Sequence, residues 1–543
     1  MQRLGDRLGG LTAPREFSRG EFALALLGLV LLGGLAYLSH IVNGGFHLDD
    51  WSDASNTLFP GEGTDFGRSV ELFYDATPYR PGLTVYVPLK YLVFGADTVL
   101  QLSLSTTLAI GVAALLYGVL RTLRVPWFHA LMIAALTIVF PSYDSTRFWE
   151  AASLPSVALA FALGGLWLAL HALDRRSWPL HAAAAALYLA SILTYEITLP
   201  LIAAFGLIYV ARVGWSAARW RWAVDLLVVV VAGTWNLTHT VRVTSGLSDH
   251  ITHAGEIFEG SQTVLASAAY PLGSSPPTSA ALIVLSLIFA VGLAAHLTQA
   301  QARKVVGWGL REWLILGATG LAVAVLGWVV FIPADIFYTP SLYAATNRVN
   351  AVAGIGLIMI VYAAIGTVVS VLSLYLHPLR HWAPALVLGL ALVLGAAYIH
   401  VLKRHSDVWN AAYSYETAAL EKIKATYPTL PPETLVVTSD YPANLSLGVP
   451  VFTADWDLNG ALRLEYDDYS MRGLPLIEGS SLVCEADGLA MEGAVTTPET
   501  IPWDKVRLLN LADGHHTSPR SRAECEAAAP RFHPGPTAIL GSY

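Results

Sequence analysis

The chain has 543 residues, of which 55% are hydrophobic and only 13% are charged, and its formal net charge is −8. Soluble domains carry about 25% charged residues, and the mean hydropathy of this chain is +0.53. The composition excludes a soluble globular protein, and the lack of a basic patch in the sequence excludes a nucleic-acid-binding protein. The apolar composition indicates an all-α polytopic membrane protein embedded in a lipid bilayer.

Long apolar runs follow one another from the N-terminus. A transmembrane helix needs about 20 apolar residues, and the runs and their polar breaks predict about eleven spans. These spans are 21–40, 97–120, 126–142, 150–171, 179–196, 198–212, 223–241, 278–298, 312–333, 351–375 and 383–402. The segment 79–95 is apolar but contains Arg80, Pro81, Pro88 and Lys90. We therefore expect an interfacial helix there, in which Lys90 snorkels to the membrane surface.

Cationic residues orient the spans. With a cytoplasmic N-terminus, the cytoplasmic segments carry 15 Arg and Lys residues and the short exoplasmic loops carry 6, as the positive-inside rule requires. The first run is too long for a removed signal peptide and lacks a small-residue cleavage site, so we interpret it as an anchor. The abundance of Arg, Ala and Gly suggests a bacterial source, and we expect a multi-pass protein of the plasma (inner) membrane.

The only two cysteines, Cys484 and Cys525, lie in the polar C-terminal tail. An odd number of spans places that tail outside, where a disulfide between them is chemically permitted. The alternative is two unpaired thiols.

Three parts follow from these patterns. The predicted transmembrane domain is 1–402, and it includes a first exoplasmic loop at 41–96 that is rich in acidic residues. Residues 403–543 lose the long apolar runs and gain Pro, Asp and Glu, which predicts a small exoplasmic α+β domain. Its segment 433–440 reads as a strand that enters a turn.

The first exoplasmic loop contains the adjacent acids Asp49 and Asp50, followed by Trp51. Two carboxylates beside a membrane helix are costly to hold near lipid, which indicates a functional role. A carboxylate can act as general base on an attacking hydroxyl while its neighbour tunes its pKa or binds a metal. The alternative is that the pair caps a loop helix.

Other ionisable residues gather on the same predicted face. At exoplasmic helix ends or loops lie Asp49, Asp50, Arg80, Arg147, Glu150, Glu196, Asp335 and Arg348. Transporters and pumps usually carry ionisable or broken-helix sites near the membrane midplane. A cluster confined to one face instead favours a reaction site at the outer interface.

Roles can be assigned by chemistry. Arg80, next to Tyr79, and Arg348 are suited to binding a phosphate. The alternative for Arg80 is that it snorkels or pairs with lipid headgroups. Aromatic rings beside acids suit sugar rings. The sequence places two aromatic residues between Arg147 and Glu150, and it places Tyr195 directly before Glu196. The alternative for these aromatics is the ordinary interfacial belt.

His47 is the only histidine of the acidic loop, and with Trp51 we include it in the substrate-binding set. A divalent metal (Mg or Mn) at Asp49 and Asp50 is left open, with His47 as a further ligand. The sequence contains no phosphate-binding glycine loop, dinucleotide fingerprint, CxxC or HExxH metal motif, or nucleophile elbow. The set Asp455, Asp457, Asp467 and Asp468 is interpreted as a solvated surface.

The order of these features resembles the GT-C glycosyltransferases, which include protein O-mannosyltransferases, aminoarabinose transferases and arabinofuranosyltransferases. Asp49-Asp50 stands where those enzymes carry an acidic pair after the first span, and Arg80-Pro81 resembles their basic-Pro element. Gly82 follows where the aminoarabinose transferases have a second proline. The resemblance implies a polyprenyl-phosphate-linked sugar donor and an envelope glycan, glycolipid or protein acceptor. It also implies Asp49 as the base, Asp50 in support, and Arg80 or Arg348 on the donor phosphate.

The sequence therefore favours an inverting lipid-linked-sugar glycosyltransferase acting on the outer face of the membrane. One alternative is a flippase, exporter or assembly component for lipid-linked glycan, without enzymatic activity. Another is a glycan polymerase or ligase of unrelated fold, which would carry its large catalytic loop late in the chain.

Overall fold

The computed structural model describes residues 17–60, 66–240, 246–273, 278–298, 308–334, 336–492 and 500–540. Asp335 lies outside these ranges. Within them, nine helices are long and apolar enough to cross a membrane. The predicted fold class, a polytopic helical membrane protein with a small C-terminal α+β region, is confirmed.

The described residues up to 426 are mostly helical. The helices are α1 (Arg19–Asn43), α2 (Asp49–Leu58), α3 (Phe66–Ala76), α4 (Pro81–Phe94), α5 (Thr98–Thr122), α6 (Trp127–Val139), α7 (Ser145–Phe148), α8 (Leu154–Asp174), α9 (Trp178–Thr194), α10 (Leu199–Val213), α11 (Trp215–His239), α12 (Leu247–Ala269), α13 (Thr278–Thr298), α14 (Leu310–Val329), α15 (Ala351–Tyr375) and α16 (Ala383–Thr426). Nine predicted spans coincide with the nine long apolar helices. The remaining two, 126–142 and 179–196, correspond to α6 and α9, which are apolar helices of 13 and 17 residues. The segment predicted to form an interfacial helix is helical as α4, whereas α3 and α12 lie in segments predicted as loops.

The C-terminal part alternates short strands with two helices. The strands are β1 (Leu435–Ser439), β2 (Asn444–Ser446), β3 (Val449–Pro450), β4 (Arg472–Pro475), β5 (Ser481–Cys484), β6 (Gly488–Glu492), β7 (Ile501–Pro502), β8 (Val506–Asn510), β9 (His516–Thr517) and β10 (Ala538–Leu540), and the helices are α17 (Asp455–Tyr466) and α18 (Arg522–Ala528). The predicted strand at 433–440 is β1.

The chain folds into two compact units. The first comprises Met1–Leu38, Ser105–Arg147 and Ala152–Arg404, and the second comprises Ser39–Leu104, Phe148–Ala151 and His405–Tyr543. The second unit thus contains both the residues of the predicted acidic loop and nearly all of the predicted C-terminal domain.

Helix pairs build the first unit. α8 packs against α9, α10 against α11, and α14 against α15. At Gly320 of α14 and Gly356 of α15, an added side chain would meet the backbone of the facing helix. Small residues let membrane helices approach this closely.

The described residues of the second unit form three small sheets. The largest has the strand order β4-β1-β8-β9, with β1 parallel to both β4 and β8 and β9 antiparallel to β8. The other two have the orders β10-β2-β3 and β5-β6-β7. The central strand β1 is buried along its whole length, as expected for a strand paired on both sides. Cys484 and Cys525 are joined in a disulfide with a Cα–Cα distance of 5.9 Å.

Candidate active site

The acidic pair opens α2, in the second unit. Asp49 and Asp50 form the first turn of this helix, where the helix dipole favours negative charge, and Leu48 is the residue at the cap position. Leu48 has φ +46°, a conformation that costs about 1–3 kcal/mol and is often retained at functional sites. Neither aspartate occupies the cap position, and the alternative of a helix cap describes Asp50 in part, because its carboxyl group accepts the backbone N–H of His47 just before the helix.

Asp50 is completely buried. Its Oδ2 accepts a hydrogen bond from the backbone N–H of His47 at 3.0 Å, and its Oδ1 accepts one from that of Ala151 at 2.7 Å. Burial raises the pKa of Asp50 to about 7, while Lys90 and the two backbone donors oppose that rise. The carboxyl group of Asp50 is therefore fixed in position, and its pKa lies near neutral pH.

Lys90, on α4, supplies positive charge to this cluster. Its ammonium forms an ion pair with Glu150, and both side chains are buried. Burial lowers the pKa of Lys90 to about 8, and the nearby Asp53, Asp50 and Asp49 act in the opposite direction. The prediction that Lys90 snorkels to the membrane surface is wrong, because a carboxylate about 60 residues further along the chain holds the ammonium inside the protein.

Asp53 lies one turn after Asp49 on α2, so the two share a helix face. Burial raises the pKa of Asp53 well above its ordinary value, and Lys90 opposes this effect. The charge of Lys90 thus acts on three carboxyl groups of one helix.

Two side chains next to Asp49 and Asp50 in sequence contact α16. The Trp51 indole N–H donates to Glu416 Oε2 at 3.3 Å, and His47 Nδ1 lies 3.3 Å from Glu416 Oε1. All three side chains are buried, and burial lowers the pKa of His47 to about 3, so the imidazole is neutral. A side chain at Gly45 would collide with the ring of Tyr413, so glycine is needed where the loop passes α16. His47 and Trp51 therefore hold the loop against this helix.

Asp49 is the less buried acid of the pair and is contacted from the C-terminal part of the chain. The Trp456 indole N–H donates to Asp49 Oδ1 at 3.1 Å. α17, which carries Trp456, packs against α2, and a side chain at Gly460 would collide with the backbone of Trp51 and Ser52. The two helices can meet this closely only because residue 460 is glycine.

The interpretation of the later acids as a solvated surface is wrong for two of them. Asp455 is 8% exposed and Asp457 is fully buried, whereas Asp467 is exposed. The Asp457 carboxyl group accepts hydrogen bonds from the backbone N–H groups of Thr453, Ala454 and Leu458. Both buried acids lie in the first turn of α17, where tertiary packing covers them.

Tyr79 and Arg80 also belong to the second unit. Arg80 directly precedes α4, which begins with Pro81, and its guanidinium lies 4.9 Å from the centre of the Tyr79 ring. At 1.5 Å per residue, the rise from Arg80 to Lys90 is about 15 Å. Arg80 and Lys90 therefore lie at different positions along this segment, with Arg80 just before the N-terminus of α4 and Lys90 within the helix beside the acids.

The remaining predicted site residues lie in the first unit. Arg147 is buried, with its guanidinium 3.9 Å from the centre of the Tyr143 ring. Arg348 is partly exposed and donates to the Ala345 carbonyl at 2.8 Å. Tyr195 is buried and Glu196 is partly exposed. A substrate-binding role for these four residues stays a prediction.

Asp49, Asp50, Trp51, His47 and Glu150 are thus brought together in the second unit. The sequence reasoning missed Lys90, Glu416 and Trp456 as members of this cluster. For Glu416 a signal was present, because Trp409, Tyr413 and Glu416 share one helix face by their spacing.

The side chains at the acidic pair do not have the arrangement of a metal site. Both Asp50 oxygens accept backbone hydrogen bonds, and the ammonium of Lys90 lies close enough to lower the pKa of this carboxyl group. Within the described parts of the chain, no group of three or more His, Cys, Asp or Glu side chains is placed to hold a metal ion. A Mg²⁺ or Mn²⁺ ion, which requires several well-placed oxygen ligands, does not fit this arrangement, and metal binding stays a prediction of the sequence.

The similarity of the chain to known proteins is limited. No protein-family model and no curated protein matches the chain. Among solved structures, it is similar to the crystal structure of the Archaeoglobus fulgidus oligosaccharyltransferase tethered through a disulfide bond to an acceptor peptide with the NVT sequon, at 14% identity and a TM-score of 0.39. The match covers 84% of this chain and 64% of that chain. At this identity and TM-score, the likeness by itself establishes neither a common fold nor a common activity.

Proposed function

We propose that the protein is an inverting glycosyltransferase that moves a sugar from a polyprenyl-phosphate donor to an acceptor at the outer face of the membrane. The observation that carries this proposal is the cluster at the start of α2, in which Asp49 and Asp50 are held beside a buried lysine. The nine long apolar helices among the described residues suit a membrane body from which a lipid-linked donor can be drawn.

Asp49 is the general base in this proposal. Its carboxylate takes the proton of the acceptor hydroxyl while the acceptor oxygen bonds to the anomeric carbon of the donor sugar. The bond from that carbon to the phosphate oxygen breaks, and polyprenyl phosphate leaves with the electron pair. Attack opposite to the departing phosphate inverts the anomeric centre. Positioned bases of this kind contribute about 10²–10⁴-fold to rate.

The departing phosphate needs a cation more than an acid, because it is already an anion. Arg80 is suited to this task, since its guanidinium stands at the N-terminus of α4, where helix dipole and backbone N–H groups also favour phosphate.

Asp50 positions the base, and Lys90 balances the negative charge around it. Asp50 is tied to the backbone at both oxygens, so it fixes the start of α2 and with it the position of Asp49. Lys90 compensates the negative charge that Asp49, Asp50 and Asp53 would otherwise concentrate in a buried place.

A direct assay tests the proposal. Purified protein in lipid nanodiscs is incubated with a panel of radiolabelled polyprenyl-phosphate sugars and with extracted envelope glycans, glycolipids and peptides as acceptors. We expect one donor to release polyprenyl phosphate while its label enters an acceptor. If proteoliposomes instead move an intact labelled donor across the bilayer without new glycosidic bonds, the protein is a flippase. If no donor of the panel is consumed, the proposal is wrong.

A further inference from the structure

We propose that Trp456 completes the acceptor side of the site: its indole N–H fixes Asp49, and its exposed ring forms a platform for a saccharide acceptor. This inference rests on the glycosyltransferase function proposed above and adds to it the chemical class of the acceptor.

The contact with Asp49 fixes the orientation of the base. An indole N–H that donates to a carboxylate makes a charge-assisted hydrogen bond, stronger than one between neutral groups, and here it measures 3.1 Å to Oδ1. The hydrogen bond to Oδ1 restricts the orientation of the Asp49 carboxylate, as a base requires for a defined proton transfer.

The position of Trp456 is fixed by neighbouring residues of α17. Its neighbour Asp457 is buried and accepts hydrogen bonds from backbone N–H groups at the start of α17. One turn further, Gly460 meets the α2 backbone, and Arg463 donates to Asn56 of α2 at 3.1 Å. A site residue supported in this way keeps its geometry when a substrate binds.

The exposure of the ring points to a ligand. Trp456 is 38% exposed, whereas Trp51 and Trp409 of the same unit are 7% and 0% exposed. Other exposed tryptophans, such as Trp178 and Trp220, lie at the ends of apolar helices in the first unit, where an interfacial belt accounts for them. Trp456 lies on a short helix packed on a sheet strand, outside the apolar helices that the belt surrounds.

The ligand that fits is a sugar ring. The apolar C–H face of a pyranose or furanose stacks on an aromatic ring, and its hydroxyls hydrogen-bond to an adjacent carboxylate. Trp456 offers the aromatic ring and Asp49 the carboxylate, and the two side chains are joined by a hydrogen bond. An acceptor hydroxyl carried by a saccharide would therefore reach the base while its ring lies on the indole.

Two substitutions separate the two roles of the side chain. Trp456→Phe keeps an aromatic face and removes the N–H donor, so we expect about a tenfold lower kcat, the effect of one lost hydrogen bond, with the acceptor KM within twofold of wild type. Trp456→Leu removes both, so we expect the acceptor KM to rise about tenfold as well. The donor KM stays unchanged in both variants. Trp220→Leu, an exposed tryptophan of the first unit, is the matched control and should behave as wild type.

Several outcomes would overturn the inference. These are an unchanged acceptor KM in Trp456→Leu, identical kinetics of the Phe and Leu variants, or a wild-type enzyme that uses only peptides or simple lipids and is not inhibited by free saccharides. Should the Leu variant not fold, the Phe variant and saccharide competition against wild type still decide the matter. A wild type that consumes no donor refutes the proposed function itself, whereas an active wild type with unaffected variants refutes only the role of Trp456.

Discussion

The ammonium of Lys90 and the carboxylate of Glu150 form an ion pair in which the two side chains are 2% and 0% exposed. Removing both charges from water costs several kcal/mol, which the pair offsets only with good geometry and further partners. The acids Asp49, Asp50 and Asp53 supply that further charge, since each of them raises the pKa of the lysine. The pair is therefore one part of a five-member charge cluster that keeps α2 and α4 in register.

Replacing the lysine should shift the pH dependence of the reaction. Lys90 lowers the pKa of Asp50, so Lys90→Met should raise that pKa above about 7. If Asp50 must be ionised for turnover, the rising limb of kcat/KM against pH should move to higher pH, and Lys90→Arg should move it less. The position of the limb does not depend on the fraction of folded protein. An unmoved limb in Lys90→Met would show that this charge does not tune the site.

The same pair should respond to substitution in a non-additive way. Lys90→Met leaves Glu150 buried without its cation, which should lower the free energy of unfolding by about 3–5 kcal/mol. Adding Glu150→Gln removes the uncompensated charge and should recover most of that loss. Thermal or denaturant unfolding of the two single variants and the double variant measures the coupling. Additive losses would contradict the buried pair.

Gly460 should tolerate no side chain. Gly460→Ala places a Cβ against the backbone of Trp51 and Ser52, so α17 must move away from α2, at a cost of about 1–3 kcal/mol. Transferase activity should fall with stability, because Trp456 moves with its helix. Gly389→Ala, at a helical glycine with open space around it, is the matched control and should be neutral or slightly stabilising. Equal melting temperatures for the two variants would refute the close packing.

Asp457 should make stability fall as pH rises. Burial raises the pKa of Asp457 to about 8 from an ordinary value of 3.8, so the folded protein keeps a proton that the unfolded chain releases between these pH values. The free energy of unfolding therefore decreases from about pH 4 to pH 8. Asp457→Asn should reduce this decrease, as measured by melting temperatures at pH 5 and pH 8. Asp467→Asn, at the exposed position directly after α17, should leave this decrease as in wild type.

The membrane helices were predictable because apolar length is a local property. The nine long helices coincide with predicted spans, and the two remaining predicted spans coincide with apolar helices. The acidic pair could be found for a similar reason, since two adjacent carboxylates beside a span are visible in the sequence alone.

The contacts of the site could not be predicted in the same way. Whether Lys90 snorkels or is buried depends on Glu150, and Asp49 accepts a hydrogen bond from Trp456, 407 residues away in the chain. Asp455 and Asp457 have the composition of a solvated surface but are buried in the first turn of α17, a helix that packs against both α2 and β4. Local pattern identifies groups that can do chemistry, whereas their partners are set by tertiary packing.

The central claim is that Asp49 takes the proton of the acceptor. Its most direct test is the single-turnover rate of polyprenyl-phosphate release by wild type, Asp49→Asn and, as a control, Asp75→Asn, an exposed acid of α3. We predict a loss of about 10²–10⁴-fold for Asp49→Asn, with an unchanged melting temperature and with Asp75→Asn at the wild-type rate. A wild-type rate in well-folded Asp49→Asn would contradict the claim.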